Sequence, residues 1–420
     1  MSNARSAIAE RIASSTDELI AVTRRLIAAA SPNPPGDTRA AALAAQQYLA
    51  TIPDIHIETH EPSPGMVNVV ARIMGAGTGR RLVFNGHLDT FPIGDDLAWT
   101  VPPLGGAVAG GRLYGRGAAD MKGGIAASLV AAQVLAERRR DWPGEIVLTL
   151  AGDEETMGTL GTRWLLDNIR YARGDAMICG DAGSPQIVRF GEKGLLWIDL
   201  EATGSPAHGA HVHRGANAID RLRAALDALK SLETLAVDAP PAVTDAIEAA
   251  RAVSEPLSGA GESDTLRRIT VNIGTVAGGV SPNLVPASAS ASADIRVPVG
   301  VTTDLIESSL SEWLGAIDGV TWRITRRYEP RFTDPDHEIV RAVVAAAAQV
   351  LGEPPVVNIR VGGSDARLYR MDGIPSVVYG LTPFNMGGPD EHILVDELVA
   401  VAGVHALTAF DFLTASEGLT

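Results

Sequence analysis

Apolar positions along this chain follow two periods, and the switches between them mark its elements. From Ile8 through Ile12, Leu19, Ile20, Val22, Leu26 and Ile27 the spacing is helical and charges fill the gaps. That predicts a helix from about Ser14 to Ala30. The segment Ser31-Pro32-Asn33-Pro34-Pro35-Gly36-Asp37 ends it, since proline and glycine break helices. A second helix is predicted over about Thr38 to Leu49, and a strand over Met66 to Met74, where the pattern alternates. Gly75-Ala76-Gly77-Thr78-Gly79 looks like a phosphate-binding run, but it precedes a strand, whereas a dinucleotide fingerprint follows one. It reads as a hairpin turn.

The next strands are nearly unbroken apolar runs: Arg81 to Gly86, Glu145 to Ala151 and Ala176 to Cys179. Such runs suit strands buried on both faces. Helices predicted over Gly123 to Arg138 and Thr159 to Ile169 separate them. Each strand leads into a loop with histidine or acids: His87-Leu88-Asp89, Gly152-Asp153-Glu154-Glu155 and Gly180-Asp181. Strand-helix alternation argues for an α/β, mostly parallel sheet, and ligands bind such sheets beyond the carboxyl ends of the strands. The loop Thr90 to Gly111 is long and irregular, which in a compact domain points to function.

After about Phe190 the pattern changes. Leu195 to Thr203, Arg267 to Gly274 and Ser288 to Val297 alternate like antiparallel strands, with a helix over Ala216 to Leu235 and a helical insert over Val237 to Asp264. From Ile339 the first pattern returns, with a helix to Leu351, strands at Val356 to Val361 and Ser376 to Gly380, and a last helix over Asp396 to Leu413. The expected organisation is a catalytic domain over 1–190 and 303–420, with an α+β domain inserted at 191–302.

A length of 420 residues with 46% hydrophobic content supports two or three domains. A net charge of -15 argues against a nucleic-acid partner and suits divalent cations. The single cysteine, Cys179, rules out an internal disulfide and a thiolate-rich zinc site, so any metal falls to His, Asp and Glu. The N-terminus lacks a secretory pattern, and no apolar run approaches the ~20 residues of a membrane span. A soluble, cytoplasmic protein with no membrane partner is expected.

One stretch stands out chemically: Gly115-Arg116-Gly117-Ala118-Ala119-Asp120-Met121-Lys122-Gly123-Gly124, a single acid among small residues. Glycines let backbone approach closely, so the loop suits a rigidly held carboxylate between two metal ions. Taken alone, Asp181 reads as a turn residue, His392 as a surface histidine, Glu154-Glu155 as a helix start and Asp89 as an N-cap. Their joint placement at strand ends favours a metal site.

His87-Leu88-Asp89, the Asp120 stretch, Asp153-Glu154-Glu155, Asp181 and His392, in this order, resemble the dinuclear-zinc exopeptidase and amidohydrolase family. It includes acetylornithine deacetylase, succinyl-diaminopimelate desuccinylase, glutamate carboxypeptidase, aminoacylase and dipeptidases. The resemblance implies a zinc-exopeptidase-like catalytic domain and a ferredoxin-like inserted domain that serves as lid and dimer contact. It implies two divalent ions, zinc or else cobalt or manganese: one on His87 and Asp181, the other on Glu155 and His392, with Asp120 bridging and joined by a cis peptide to Met121. Asp89 would orient His87, and Glu154 would be the general base in amide hydrolysis.

From the inserted domain, His208 in Gly204-Ser205-Pro206-Ala207-His208-Gly209 would stabilise the oxyanion, often across a homodimer, while Asn283 and Arg296 would hold a substrate carboxylate. Gly362, Gly363 and Ser364 would offer donors to the small-molecule substrate. His211 and His213 take no role. The motif pattern leaves the substrate open: Asp181 matches dipeptidase and aminopeptidase members, whereas Pro34-Pro35-Gly36-Asp37 and Pro389-Asp390-Glu391-His392 match the deacylases. An aminohydrolase acting on another small amide and a non-catalytic metal-binding protein are the remaining alternatives, but no expected ligand has been lost. A nucleotide-dependent enzyme is disfavoured, because Asp120 stands where its third glycine belongs.

Overall fold

A computed structural model describes residues 2–94 and 99–415, so residues 95–98 of the loop Thr90 to Gly111 lie outside it. The chain divides into two compact units, Met1–Phe190 with Thr333–Asn358 and Ser364–Thr420, and Gly191–Phe332 with Ile359–Gly363.

The first unit is built on a mixed sheet. Of its nine strands among the described residues, seven are β1 (His56–Ser63), β2 (Met66–Met74), β3 (Arg81–His87), β4 (Glu145–Ala151), β5 (Ala176–Cys179), β6 (Ile187–Glu192) and β7 (Ser376–Val378); the short strands Arg331–Phe332 and Val356–Arg360 pair with β6. The seven lie in the order β1-β2-β4-β3-β5-β7-β6. β4, β3, β5 and β7 run parallel as neighbours, while β1, β2 and β6 pair antiparallel at the flanks. All of β4 is buried, and so is β3 beyond Arg81, as a sheet covered on both faces requires. Helices Gly123–Glu137 and Val395–Thr414 pack on each other and on β3, and helices Thr162–Asn168 and Ala366–Met371 pack on each other, the first also against β4 and the second against β5.

Several expectations are corrected. The helix expected over Ser14 to Ala30 is present as Thr16–Ala28, but a further helix that was not expected, Ser2–Ala13, precedes it. The run Gly75–Gly79 is not a hairpin turn, because β4 lies between β2 and β3. It pairs instead with the turn before β4: the Gly75 amide donates to Gly144 O at 2.8 Å and that of Ala76 to Trp142 O at 2.8 Å. A Cβ on Gly75 would meet the Trp142 ring at 2.5 Å, which explains the glycine. Helix Val395–Thr414 is long and apolar enough to cross a membrane, but it is mostly buried as a core helix.

The second unit has the succession strand Gly194–Thr203, helix Ala218–Ser231, strands Thr270–Gly278 and Ser288–Val297, helix Thr303–Gly315, strand Val320–Tyr328. In space the strands run second, third, first, fourth, all antiparallel, which is the ferredoxin-like arrangement. Leu196, Ile198, Leu200, Ile295 and Val297 form one core with Leu222, Leu229, Ile306 and Leu310 of the two helices. The last helix and strand therefore belong here, and the unit reaches Phe332 rather than residue 302. The insert carries the helices Pro241–Ser258 and Glu262–Leu266.

Candidate metal centre

Neighbouring parallel strands deliver the candidate ligands. His87 is the last residue of β3 and lies in register with Ala151 at the end of β4. Glu154 and Glu155 follow β4 in a single turn, and Asp181 follows β5. Asp120 sits in a wide helical turn, Ala118–Lys122, ahead of helix Gly123–Glu137, and its peptide bond to Met121 is cis. Gly117, at φ +79°, starts that turn. Gly124 lets it approach Asp181: a Cβ there would stand 1.8 Å from Gly180 O. Lys122 Nζ, donating to Ala29 O at 2.7 Å, ties the turn to the end of helix Thr16–Ala28.

These elements bring His87 Nε2 within 3.0 Å of Asp120 Oδ1. Donor atoms of His87, Asp120 and Asp181 all lie within 4.8 Å of one another. Oxygen and imidazole donors at such spacing suit zinc and other borderline or hard divalent ions. Glu155 Oε1 is buried with no hydrogen-bond partner, a costly state that a cation would relieve. His392 stacks on Phe384 (ring centroids 5.0 Å apart) and lies 4.9 Å from the Tyr114 ring. Its Nδ1 donates to Asp390 O at 2.9 Å, leaving the Nε2 lone pair for a ligand.

The charges fit the same reading. Burial pulls the His87 pKa down, but hydrogen bonds to Asp120 and Asp89 outweigh it and hold the imidazole well above its usual value. Burial pushes Glu154 and Glu155 up, and for Glu155 the charge of Asp120 adds to it. This is a surplus of crowded carboxylates that a divalent cation would balance.

Asp89 is fully buried and does more than orient His87. Its backbone carbonyl, not its carboxylate, is the nearer acceptor for His87 Nδ1, at 2.9 Å against 3.4 Å. The carboxylate also accepts from the amides of Glu154 and Glu155, both at 3.1 Å, and from Asn33 Nδ2 at 2.9 Å. One acid thus fixes both the His87 loop and the Glu154-Glu155 turn.

The model of peptidase family M20/M25/M40 matches residues 83–411. The chain belongs to this family. A succinyl-diaminopimelate desuccinylase of Rhodospirillum centenum is 32% identical over 344 residues, covering 80% of this chain and 82% of that protein. Among solved structures, the M20 family metallo-carboxypeptidase Sso-CP2 of Sulfolobus solfataricus superposes with a TM-score of 0.75 at 19% identity, covering 94% of this chain and 98% of that one. Human carnosine dipeptidase 1 gives 0.74 at 16% identity, covering 98% and 100%. This M20 protein is a metal-dependent hydrolase acting on small substrates, with a His/Asp metal site of a kind that suits two divalent ions.

In this M20 chain's second unit, His208 is exposed and its Nδ1 accepts from the Ala210 amide at 3.2 Å. The ring proton is thereby directed to Nε2, the atom that would donate to an oxyanion. Gly209 donates to Asn283 O at 2.7 Å, so His208 and Asn283 are neighbours. Arg296 pairs with Asp294 across 2.9 Å, a local partner that a substrate carboxylate would have to displace. His211 and His213 are exposed, with their rings 5.8 Å apart. Gly362 and Gly363 are half-buried and Ser364 is fully buried.

Sequence reasoning missed three residues that hold the site. Arg367, 4% exposed, donates to Glu154 Oε1 at 3.1 Å and to Ser364 O at 2.6 Å. Glu391 and Arg116 pair at 2.5 Å in full burial. Arg116 and Glu391 lie inside motifs already singled out and Arg367 lies three residues beyond Ser364, but nothing in their spacing sets them apart.

Proposed function

We propose that this protein hydrolyses the amide bond of a small N-acyl amino acid, with Glu154 as general base. The observation that carries the reading is the cluster of His87, Asp120 and Asp181 beside a Glu154-Glu155 turn that the same Asp89 holds in place. His87 and Asp181 would hold one divalent ion, Glu155 and His392 a second, and Asp120 both; zinc fits this nitrogen and oxygen set. When bound, such ions supply an acidified water and polarise the scissile carbonyl.

The chain's own residues do the rest. Glu154 takes the proton of the attacking water as its oxygen bonds to the carbonyl carbon, then passes a proton to the nitrogen as the C–N bond breaks. The products are a carboxylic acid and an amine. Burial raises the proton affinity of Glu154, while the Arg367 guanidinium restrains that rise. His208 Nε2–H is suited to the charge that develops on the carbonyl oxygen.

The desuccinylase relative, at 32% identity, supports an N-acyl substrate carrying a carboxylate. A dipeptide is the second reading, favoured by Asp181 in place of the glutamate common among deacylases. A screen of N-acyl amino acids and dipeptides against zinc-reconstituted protein tests both. Turnover of dipeptides alone would overturn the deacylase reading, and wild-type turnover by Glu154→Gln would remove Glu154 as base.

A further inference from the structure

Glu391 precedes His392 and is 1% exposed. Each of its polar groups reaches the Asp120 loop. Oε2 accepts from Arg116 Nη1 at 2.5 Å, and Oε1 accepts from the amides of Ala119 at 3.0 Å and Asp120 at 3.4 Å. Its backbone carbonyl accepts from the Gly115 amide at 2.8 Å. Arg116 extends the clamp, donating through Nη2 to Gly387 O at 2.9 Å and Ile93 O at 3.3 Å. The strand His392–Leu394 continues the contact by pairing antiparallel with Arg112–Tyr114.

These contacts join two segments that arrive from opposite ends of the unit's sequence, one carrying Asp120 and the other His392. The geometry points to Glu391 and Arg116 as positioning residues that set the distance between Asp120 and His392. This inference rests on the two-ion reading above and deepens it. Asp120 serves both ions but His392 only one, and the His87 and Asp181 side is also held by strand ends and by the Gly124–Gly180 contact. The pair therefore governs the ion on Glu155 and His392 more than the other. Residues that orient metal ligands typically change affinity by about 10- to 100-fold when altered.

The test is zinc titration of metal-free protein against a chromophoric chelator, with bound zinc counted independently. Wild-type protein is expected to bind two ions. Glu391→Gln keeps an acceptor for the Ala119 amide but loses the charge pairing, and should weaken one ion about 10- to 100-fold and the other by clearly less. Because Glu391→Gln leaves Arg116 buried without its carboxylate, it can fail to fold. The double variant Glu391→Gln/Arg116→Met removes both charges and should show the same selective loss in a folded protein. His392→Gln should lose the same ion, and adding Glu391→Gln to it should change little further. Two ions at wild-type affinity in the folded variants, or equal weakening of both, would overturn the inference alone. A wild-type protein that binds a single ion would overturn the two-ion reading itself, and the inference with it.

Discussion

Arg367→Met removes the guanidinium facing Glu154 while keeping most of the side-chain volume. Arg367 is 4% exposed and Glu154 15%, and their atoms are 3.1 Å apart, so the contact lies mostly outside solvent. A hydrogen bond to a charged group is worth about 1.5–3 kcal/mol in such surroundings. If that energy holds the Glu154 carboxylate in the orientation for proton transfer, its loss lowers kcat by about 10- to 100-fold, at about 1.4 kcal/mol per decade. KM should stay within about two-fold, since the arginine acts on the base. Arg367→Lys, which keeps the charge without the fork that also reaches Ser364 O, should fall between. The assay is steady-state kinetics on zinc-loaded protein with metal content measured beside it. Adding guanidinium to Arg367→Ala should restore part of kcat, which a merely misfolded protein would not show. In Glu154→Gln, Arg367→Met should have no further effect. Wild-type kcat in Arg367→Met with full metal content would refute the reasoning.

Treatment with a chelator should abolish turnover, and zinc, cobalt or manganese should restore it; unchanged activity in metal-free protein would end the metal mechanism. Gly124→Ala would place a methyl 1.8 Å from Gly180 O, a clash between two backbones that cannot be relieved by a rotamer. It should lower Tm by overpacking, at a cost of roughly 1–3 kcal/mol or more, and reduce zinc content together with it. His405 is buried in helix Val395–Thr414, its pKa pushed down to about 4 by burial. The unfolded chain binds its proton near the ordinary value of about 6.5 and the folded chain does not, so stability is complete above that pH and falls as pH drops toward 4, by about 3 kcal/mol in all. Urea unfolding at pH 7 and 4.5 should show a smaller acid loss in His405→Gln than in wild type. If active sites are completed across a homodimer, mixing His208→Ala with Glu154→Gln chains should recover activity that neither has alone.

The fold was legible wherever burial is uniform. β3, β4 and β5 are covered on both faces, and their apolar runs announce that directly. The flanks were less legible. β1 is half exposed, with His56, Glu58, His60 and Glu61 along it, so no alternation marks it as a strand. Val320–Tyr328 alternates between half-buried and exposed positions and carries three arginines, Arg323, Arg326 and Arg327, which hid its place in the second sheet. The order of β2, β4 and β3 was unreadable for a different reason. A short glycine run between two strands suggests direct pairing, and only the tertiary contact with Trp142 and Gly144 shows that another strand intervenes.

At the site, residue type carried the information for ligands but not for what holds them. Histidine and acids at the ends of buried strands are chemically conspicuous, because burial there is costly without a cation or hydrogen bonds. Asp89 shows the limit. Its position beside His87 points to a carboxylate for the ring, yet its own backbone carbonyl is the closer acceptor for the imidazole, and the carboxylate also serves three donors on two other segments. Arg116, Glu391 and Arg367 were invisible for the same reason: each acts on a residue distant in sequence, and a charge read from sequence looks alike whether it meets solvent or a buried partner. Their burial decides it. A guanidinium at 3% exposure against a carboxylate at 1% is strongly destabilising to break by removing one partner. The Asp120 loop therefore depends on the His392 segment for more than a shared ion. The two are joined by protein contacts of their own, which hold the crowded carboxylates of the two segments at a fixed spacing.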